Sequence, residues 1–211
     1  MPSMVDSCGS FPDASTNKIL NGQEAEAPWP WIVRIGRTFK EHGQVHYCSG
    51  TVINERFVLT AEHCFAHIKQ MDPDRTGSLL SDIYMTFGDW RSDGKDILTL
   101  TPLKIFFRPD RFSPTDNTTP NAFTADMAVL EIPNLINHNK NRALIKAACL
   151  PAAPIPAGTH CWVAGWGHTS MANLNDLDAI PNVLHEAGLN TMSLKYCRDH
   201  SDVINVLGQT R

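Results

Sequence analysis

The stretch that most constrains the fold is residues 58–65, Val-Leu-Thr-Ala-Glu-His-Cys-Phe. A short apolar strand ends there and delivers His63 beside Cys64. A neutral imidazole is the side chain best suited to take a proton near pH 7. Cys48 lies on the strand candidate that precedes this one, so a hairpin would bring its thiol back toward Cys64. The stretch therefore predicts a histidine held at the end of a β-hairpin by a disulfide.

The remaining apolar runs predict an all-β protein. They are short, rich in β-branched and aromatic residues, and bounded by turn residues. The strand candidates are residues 31–35, 45–53, 57–60, 83–87, 97–100, 103–107, 126–132, 161–167 and 183–190. We expect the first strand to stop at Gly36 and Ser193 to cap a short helix. Many short strands at regular spacing are typical of a sandwich or a pair of barrels.

Composition excludes several classes of function. The chain has 211 residues, of which 42% are hydrophobic, and its net charge is −4. This length suits one large domain or two small ones. We expect no nucleic-acid partner because no basic stripe is present, and no membrane insertion because no apolar run is long enough to cross a bilayer.

The cysteines indicate an oxidising compartment. There are six, widely spaced and without the Cys-x-x-Cys pairs of a zinc ribbon or redox motif. Such spacing suits disulfides and therefore an extracellular protein. Asn117 begins an Asn-Thr-Thr glycosylation acceptor, which agrees with secretion. The first residues contain no apolar targeting core, so we expect a signal segment to have been removed or never included.

Asp126 is the candidate partner of the histidine. A histidine becomes an effective general base when a carboxylate fixes its tautomer and stabilises its cation. Asp126 opens an apolar strand, where aspartate is disfavoured, so its presence calls for a reason. The other interpretation is a turn residue that begins a strand.

Together these motifs resemble those of the trypsin/chymotrypsin-like serine endopeptidases. Seven stretches match in the family's order and extend over nearly the whole chain: residues 19–22, 28–33, 48–53, 58–64, 126–130, 149–151 and 165–167. The resemblance implies two antiparallel six-stranded β-barrels with the catalytic groups at their junction. The first barrel would span about residues 33–132, and the second, incomplete in this chain, about residues 156–211.

The same resemblance implies the roles of individual residues. His63 would act first as general base and then as general acid, and Asp126 would orient it. A Cys48–Cys64 disulfide would bracket the histidine. A second disulfide, between Cys8 and Cys149, would keep the N-terminal tail attached after activation.

Activation by proteolysis is also implied. Residues 1–18 form a polar tail that ends in Lys18, a natural site for cleavage in a flexible segment. In the family, the amine freed at the position of Ile19 inserts and pairs with an aspartate beside the nucleophilic serine. A lysine at the cut implies an activating protease of trypsin-like specificity, and the substrates would be proteins or peptides.

The chain departs from the family in its nucleophile. It has no Gly-Asp-Ser-Gly-Gly stretch, and Ser193 and Ser201 lack the glycine-rich setting that an oxyanion hole requires. Cys161 and Cys197 match cysteines whose partners lie in the family's later sequence. We therefore expect these 211 residues to be a truncated form that is inactive alone. The alternative is a non-catalytic secreted homologue that uses the fold as a binding module.

Metal binding is a weaker hypothesis. The set His46, Cys48, His63, Cys64 and His67 could form a cluster, but Glu62 precedes its histidine, whereas the metalloprotease motif needs glutamate after it. We therefore predict no metal site.

Two further expectations concern acidic residues. Calcium could bind Asp89, Asp93 and Asp96, although a solvated turn is favoured there. We expect the Glu62 side chain to point outward, since inward it would compete with Asp126 or raise the pKa of the imidazole.

Overall fold

The computed structural model describes residues 8–9, 23–41, 43–65, 68, 80–90, 98–107, 126–135, 145–167 and 181–199. Several residues singled out by the sequence lie outside the described residues; they are Lys18, Ile19, His67, Asp93, Asp96, Asn117 and Ser201. Strands dominate what is described, which confirms the all-β prediction.

Ten strands and two short helical segments make up the described fold. The strands are β1 (Gln23–Glu24), β2 (Ile32–Phe39), β3 (Gly43–Val52), β4 (Phe57–Thr60), β5 (Ile83–Phe87), β6 (Leu98–Leu100), β7 (Lys104–Phe107), β8 (Ala128–Glu131), β9 (His160–Gly165) and β10 (His185–Asn190). The helical segments are a 3-10 helix at Glu62–Phe65 and an α-helix, α1, at Leu194–Asp199. Neither has the length and hydrophobicity that crossing a lipid bilayer would require, and no other helix among the described residues has them.

One bent stretch of chain closes the first sheet into a barrel. The strand order is β6-β5-β2-β3-β4-β8-β7, with antiparallel pairing throughout. Only residues 101–103 separate β6 from β7, yet β6 pairs with β5 at one edge and β7 pairs with β8 at the other. The N–H of Leu103 donates to the carbonyl of Glu131 at 2.7 Å, which continues the pairing through the bend. Counted as one bent strand, this stretch gives a six-stranded barrel.

The interior of this barrel holds the main hydrophobic core. Seventeen buried residues among those described form one cluster, and they come from β2, β3, β4, β5 and β8, from the 3-10 helix and from the segments that flank these elements. The largest of those without any exposure are Phe65, Phe87, Ile35 and Ile83. Side chains alternate between the interior and the outside along β4 and β8, as expected for strands with one buried face.

The prediction that β2 stops at Gly36 is wrong. The strand continues to Phe39, and its register with β3 shifts between Ile35 and Gly36. A Cβ atom at Gly36 would lie 2.4 Å from the ring of Tyr84 and 2.8 Å from the carbonyl oxygen of Val45. The glycine therefore marks a β-bulge where neighbouring strands approach closely, and it does not end the strand.

The second sheet is smaller. It has the order β1-β10-β9, again antiparallel, so the short strand β1 near the N-terminal side joins strands from the far end of the chain. Among the described residues, its buried cluster consists of Ala25, Trp166 and Leu184. The Trp29 indole N–H donates to Glu186 of β10 at 2.7 Å, which further ties the N-terminal segment to this sheet.

Candidate active site

The β3–β4 hairpin fixes the position of His63. Val52 pairs with Val58 across the hairpin, and residues 53–56 make the turn, one residue more than the predicted connection at residues 54–56. The hydroxyl of Thr60 donates to the carbonyl of Ser49 at 2.9 Å, which holds the last residue of β4 against β3. The 3-10 helix begins two residues later, so His63 lies immediately after the paired end of the hairpin.

The 3-10 helix anchors its neighbours and leaves the histidine accessible. Cys64 and Phe65 are buried in the barrel core, whereas 69% of the His63 side chain is exposed. A disulfide joins Cys64 to Cys48 on β3, with the two Cα atoms 6.3 Å apart. The imidazole is thus presented to solvent from a turn that is fixed by burial on one side and by a covalent cross-link on the other.

Strand register brings Asp126 to His63. Thr60 of β4 lies opposite Ala128, the first residue of β8, so Asp126, two positions before β8, lies beside the turn that follows β4. His63 Nδ1–H donates to Asp126 Oδ2 at 2.7 Å, and the His63 backbone N–H donates to Oδ1 at 2.8 Å. Both carboxylate oxygens are therefore occupied by one residue, which fixes the ring orientation and leaves Nε2 able to accept a proton.

The environment of Asp126 keeps it ionised. Partial burial raises the pKa of its carboxyl, but hydrogen bonds from the His63 ring and backbone, attraction to His63 and the backbone N–H of Glu62 outweigh this effect and lower the pKa below its usual value. About a third of the side chain, 34%, remains exposed. The carboxylate can therefore stabilise an imidazolium that forms beside it. The pair has the parts of a general base and its orienting group.

The expectation that Glu62 points outward is wrong. Only 1% of the residue is exposed, although the adjacent His63 is open to solvent. The tight 3-10 turn explains the difference, because it directs Glu62 and Cys64 inward on either side of the histidine. The sequence offered no signal for this burial, since glutamate is among the residues least often buried.

The sulfur and imidazole atoms around His63 lie close together. One donor atom from each of Cys48, His63 and Cys64 can be chosen so that all three lie within 4.8 Å of one another. Nε2 of His63 is 3.8 Å from Sγ of Cys64. His46 does not belong to this group, since its ring packs edge-to-face on Tyr84 with 5.0 Å between centroids. In the oxidised protein both sulfurs are engaged in the disulfide.

Sequence reasoning missed a cavity beside the disulfide. Its volume is about 300 Å³, and residues of both sheets line it: Arg34, His46, Tyr47, Cys48, Ser49, Trp166 and Gly167. Burial and the nearby Arg34 guanidinium lower the pKa of His46 to about 4, so this histidine is neutral at pH 7. The sequence signal for such a site is weak. It consists of Arg34 within an apolar strand and a Gly-Trp-Gly stretch at residues 165–167, far away in the chain.

Arg34 connects the two sheets at this cavity. Its guanidinium lies 5.4 Å from the ring centroid of Trp166, which follows β9, and 3.4 Å from Asp89, which follows β5. Burial raises the pKa of Asp89 in spite of the arginine. Asp89 is the one member of the calcium hypothesis among the described residues, and its carboxylate is engaged with Arg34.

The other cysteines fall into two groups. Cys8 and Cys149 form a disulfide with Cα atoms 5.1 Å apart, and Gly9 N–H donates to the Ala147 carbonyl beside it at 2.9 Å. Cys161 on β9 and Cys197 in α1 are free thiols. Ser193 accepts a hydrogen bond from the backbone N–H of Tyr196 at 3.1 Å, so this hydroxyl caps α1 as the sequence predicts.

Comparison with known proteins agrees with this architecture. The family model described as Trypsin matches residues 19–209. Among solved structures, mouse neuropsin, a serine protease expressed in the limbic system of the brain, has 21% identity and a TM-score of 0.59, over 86% of this chain and 68% of that one. GrC has 22% identity and a TM-score of 0.61, over 86% of this chain and 69% of that one. At these identities the structural likeness establishes the fold, which is chymotrypsin-like as the sequence predicts.

Proposed function

The chain belongs to the trypsin family of serine proteases, and on this premise we propose that the complete protein is a secreted serine-type endopeptidase with His63 as general base and Asp126 as its orienting group. The observation that carries the proposal is the double hydrogen bond between these residues, at 2.7 and 2.8 Å. Proteases of this family act on proteins and peptides, so the substrates are of that class. Two disulfides support an extracellular setting.

The geometry supports a defined sequence of proton transfers. Because Nδ1–H donates to Asp126, the neutral ring has its free lone pair at Nε2. That nitrogen accepts the proton of the attacking serine hydroxyl. The resulting imidazolium is stabilised by the adjacent carboxylate, whose lowered pKa keeps it charged. The same Nε2–H then donates the proton to the leaving amine, so one residue serves both steps. His63 is sufficiently exposed for a peptide to reach it.

For the enzyme, we propose that the nucleophile lies in sequence outside these 211 residues. The chain contains no Gly-Asp-Ser-Gly-Gly stretch, and Ser193 is engaged in capping α1. We therefore expect the 211-residue chain to be inactive by itself, since a general base without a nucleophile has nothing to activate. Activation of the complete protein would follow cleavage after Lys18 by a protease of trypsin-like specificity, with the tail retained by the Cys8–Cys149 disulfide. Glycosylation at Asn117 belongs to the same proposal.

A fluorophosphonate probe tests the proposal directly, because it labels only an activated serine. The full-length product of the transcript would be cleaved with immobilised trypsin, separated from it and labelled, beside its His63→Ala variant and the 211-residue chain. We expect labelling of the full-length protein, loss of at least about a thousandfold in rate in the variant, and none in the short chain. Equal labelling of the variant would contradict the role of His63.

A non-catalytic homologue is the second candidate, and the missing nucleophile motif is the observation that favours it. It predicts that the cleaved full-length protein takes up no probe although it is folded. The codons that follow Arg211 in the transcript distinguish the two candidates at once. A Gly-Asp-Ser-Gly-Gly stretch supports the enzyme, and a replacement of its serine supports the binding module.

A further inference from the structure

We propose that reduction of the Cys48–Cys64 disulfide converts the surroundings of His63 into a binding site for a zinc-like divalent metal ion, with two thiolates and one imidazole nitrogen as ligands. This inference goes beyond the proposed protease function, since it concerns the reduced protein and needs no nucleophilic serine. It rests on the placement of three donor atoms, on the orientation of the ring and on the exposure of the site.

The donor atoms lie at distances that suit such an ion. One atom from each of Cys48, His63 and Cys64 lies within 4.8 Å of the others, and Nε2 of His63 is 3.8 Å from Sγ of Cys64. Zinc bonds of about 2.3 Å to sulfur and about 2.0 Å to nitrogen in a tetrahedral site place ligand atoms about 3.5–3.8 Å apart. Small side-chain rotations therefore suffice once the sulfur–sulfur bond is broken. This is the only such group found among the described residues.

Asp126 prepares the histidine for this role. Its Oδ2 accepts the Nδ1 proton at 2.7 Å, so the unprotonated nitrogen of the neutral ring is Nε2, on the side of the sulfurs. A carboxylate that accepts the other ring proton of a metal-binding histidine fixes its tautomer and raises its basicity as a ligand. The arrangement that makes His63 a general base thus also makes it a good metal ligand, and bound metal would occupy the nitrogen that catalysis needs.

The coordination sphere would remain open at one position. Three protein ligands leave a tetrahedral ion one site for water, and the His63 side chain is 69% exposed. Cys64 is buried and Cys48 half-buried, so the ion would sit at the edge of the barrel core with one side toward solvent. The two thiolates are soft ligands, so the site favours zinc over calcium or magnesium.

An external reductant breaks the disulfide, and metal binding to the resulting thiols involves no further change of oxidation state. A trialkylphosphine and water reduce the disulfide, which gives two thiols and the phosphine oxide. Binding of the divalent ion then displaces the two thiol protons to solvent, because thiolates are the ligands.

Cobalt(II) is the probe, because tetrahedral thiolate coordination gives it a charge-transfer band and intense visible bands. The chain carries Cys8→Ser, Cys149→Ser, Cys161→Ser and Cys197→Ser, so that reduction with a phosphine frees only the thiols of Cys48 and Cys64. We expect one cobalt ion per chain with a tetrahedral spectrum, and none in the oxidised chain. The reduced Cys48→Ser variant is the matched control. Like the reduced parent it has no Cys48–Cys64 disulfide, but it lacks one of the proposed thiolate ligands, so it should lose the tetrahedral spectrum.

The histidine and its carboxylate are tested in the same background. His63→Ala should abolish the tetrahedral spectrum, whereas His160→Ala, at an exposed histidine on β9, should retain it. Asp126→Asn should weaken cobalt affinity by about 10–100-fold with the spectrum intact, as expected of a positioning residue. A spectrum that survives His63→Ala, or a reduced parent that binds no cobalt, would overturn the proposal.

A second measurement guards against misleading effects of unfolding. In the reduced wild-type chain, zinc should slow iodoacetamide alkylation of Cys48 and Cys64 by at least about tenfold, because a metal-bound thiolate is protected. Cys161 and Cys197 in the same molecules are internal controls and should react at nearly unchanged rates. Uniform protection of all thiols, or protection of none, would contradict a site at His63.

Discussion

The two sheets differ in the size of the hydrophobic core that the described residues bury. The barrel of β2–β8 is closed by the bent β6–β7 stretch and filled by a cluster of seventeen buried residues. The β1-β10-β9 sheet has a buried cluster of three, and Val163 and Leu189 on its two longer strands are nearly half exposed. The histidine and its carboxylate both belong to the barrel. The hydrogen-bonded pair of His63 and Asp126 is therefore held by the barrel, which among the described residues has by far the larger buried core.

The largest expected effect comes from the barrel core. Phe65→Ala removes a side chain with no exposure directly behind the His63 turn, and should lower the free energy of unfolding by about 3–5 kcal/mol. Val163→Ala on the second sheet removes an exposed side chain and should change it by less than about 0.5 kcal/mol. Urea unfolding followed by fluorescence measures both. Similar losses in the two variants would break the comparison.

The disulfide beside the histidine comes next. Cys48→Ser with Cys64→Ser opens a loop whose ends are 16 residues apart, and should cost about 3 kcal/mol through the greater freedom of the unfolded chain. Cys161→Ser with Cys197→Ser removes two free thiols from the second sheet and α1, and serves as the control, with an expected change within about 0.5 kcal/mol. If the control pair proved equally costly, those thiols would have a structural role in the second region.

Arg34 tests the connection between the two regions. Arg34→Met removes the cation from Trp166 and from the buried Asp89, and should cost about 2 kcal/mol. The loss is moderate because burial disfavours the charged form of Asp89 even beside the arginine and raises its pKa, so the desolvation cost offsets part of the attraction within the pair. Adding Asp89→Leu should recover part of the stability, since no buried charge is then left unpaired. A double variant less stable than the single one would argue against this account.

The smallest effect is a pH dependence that originates at His46. The folded state has a pKa of about 4 for this histidine against 6.5 in the unfolded chain. Between these values the unfolded state binds more protons, so stability falls as the pH is lowered from 6.5 to 4. The effect should amount to about 1–2 kcal/mol once partial exposure is allowed for.

His46→Gln should abolish this slope, as measured by urea unfolding at pH 7 and pH 4.5, while the exposed His160→Gln leaves it intact. Asp126 acts in a different window. Its lowered pKa contributes stability that is present above its unfolded value of 3.8 and is lost as the pH falls below it. A slope between pH 7 and pH 4.5 that persisted in His46→Gln would place its origin elsewhere.

Much of the fold could be predicted because local signals agreed with it. Short apolar runs bounded by turn residues located β3, β4, β5 and β8 to within about two residues. Gly36 misled the prediction because a glycine that ends a strand and one that permits a bulge look alike in sequence. Only the proximity of Tyr84 and Val45, which are distant in sequence, distinguishes the two cases.

The two candidate residues were predictable from the sequence, and their surroundings were less so. His63 and Asp126 were proposed from their motifs and the order of those motifs, and strand register places the two side chains within hydrogen-bond distance. The burial of Glu62 could not be foreseen, because it depends on the direction of one 3-10 turn. Arg34 and Trp166 meet across two sheets, and no local pattern encodes such a contact.

The most direct test of the central claim is the tautomer of His63, observed by nitrogen-15 NMR of the neutral imidazole. The account predicts a proton on Nδ1, donated to Asp126 Oδ2, with Nε2 unprotonated. Asp126→Asn, whose amide can present a donor to the ring, should shift the population away from this tautomer, with His160 in the same spectra as an unaffected reference. A proton resident on Nε2 in the wild-type chain, or a tautomer indifferent to Asp126→Asn, would contradict the claim that Asp126 prepares His63 to act as a base.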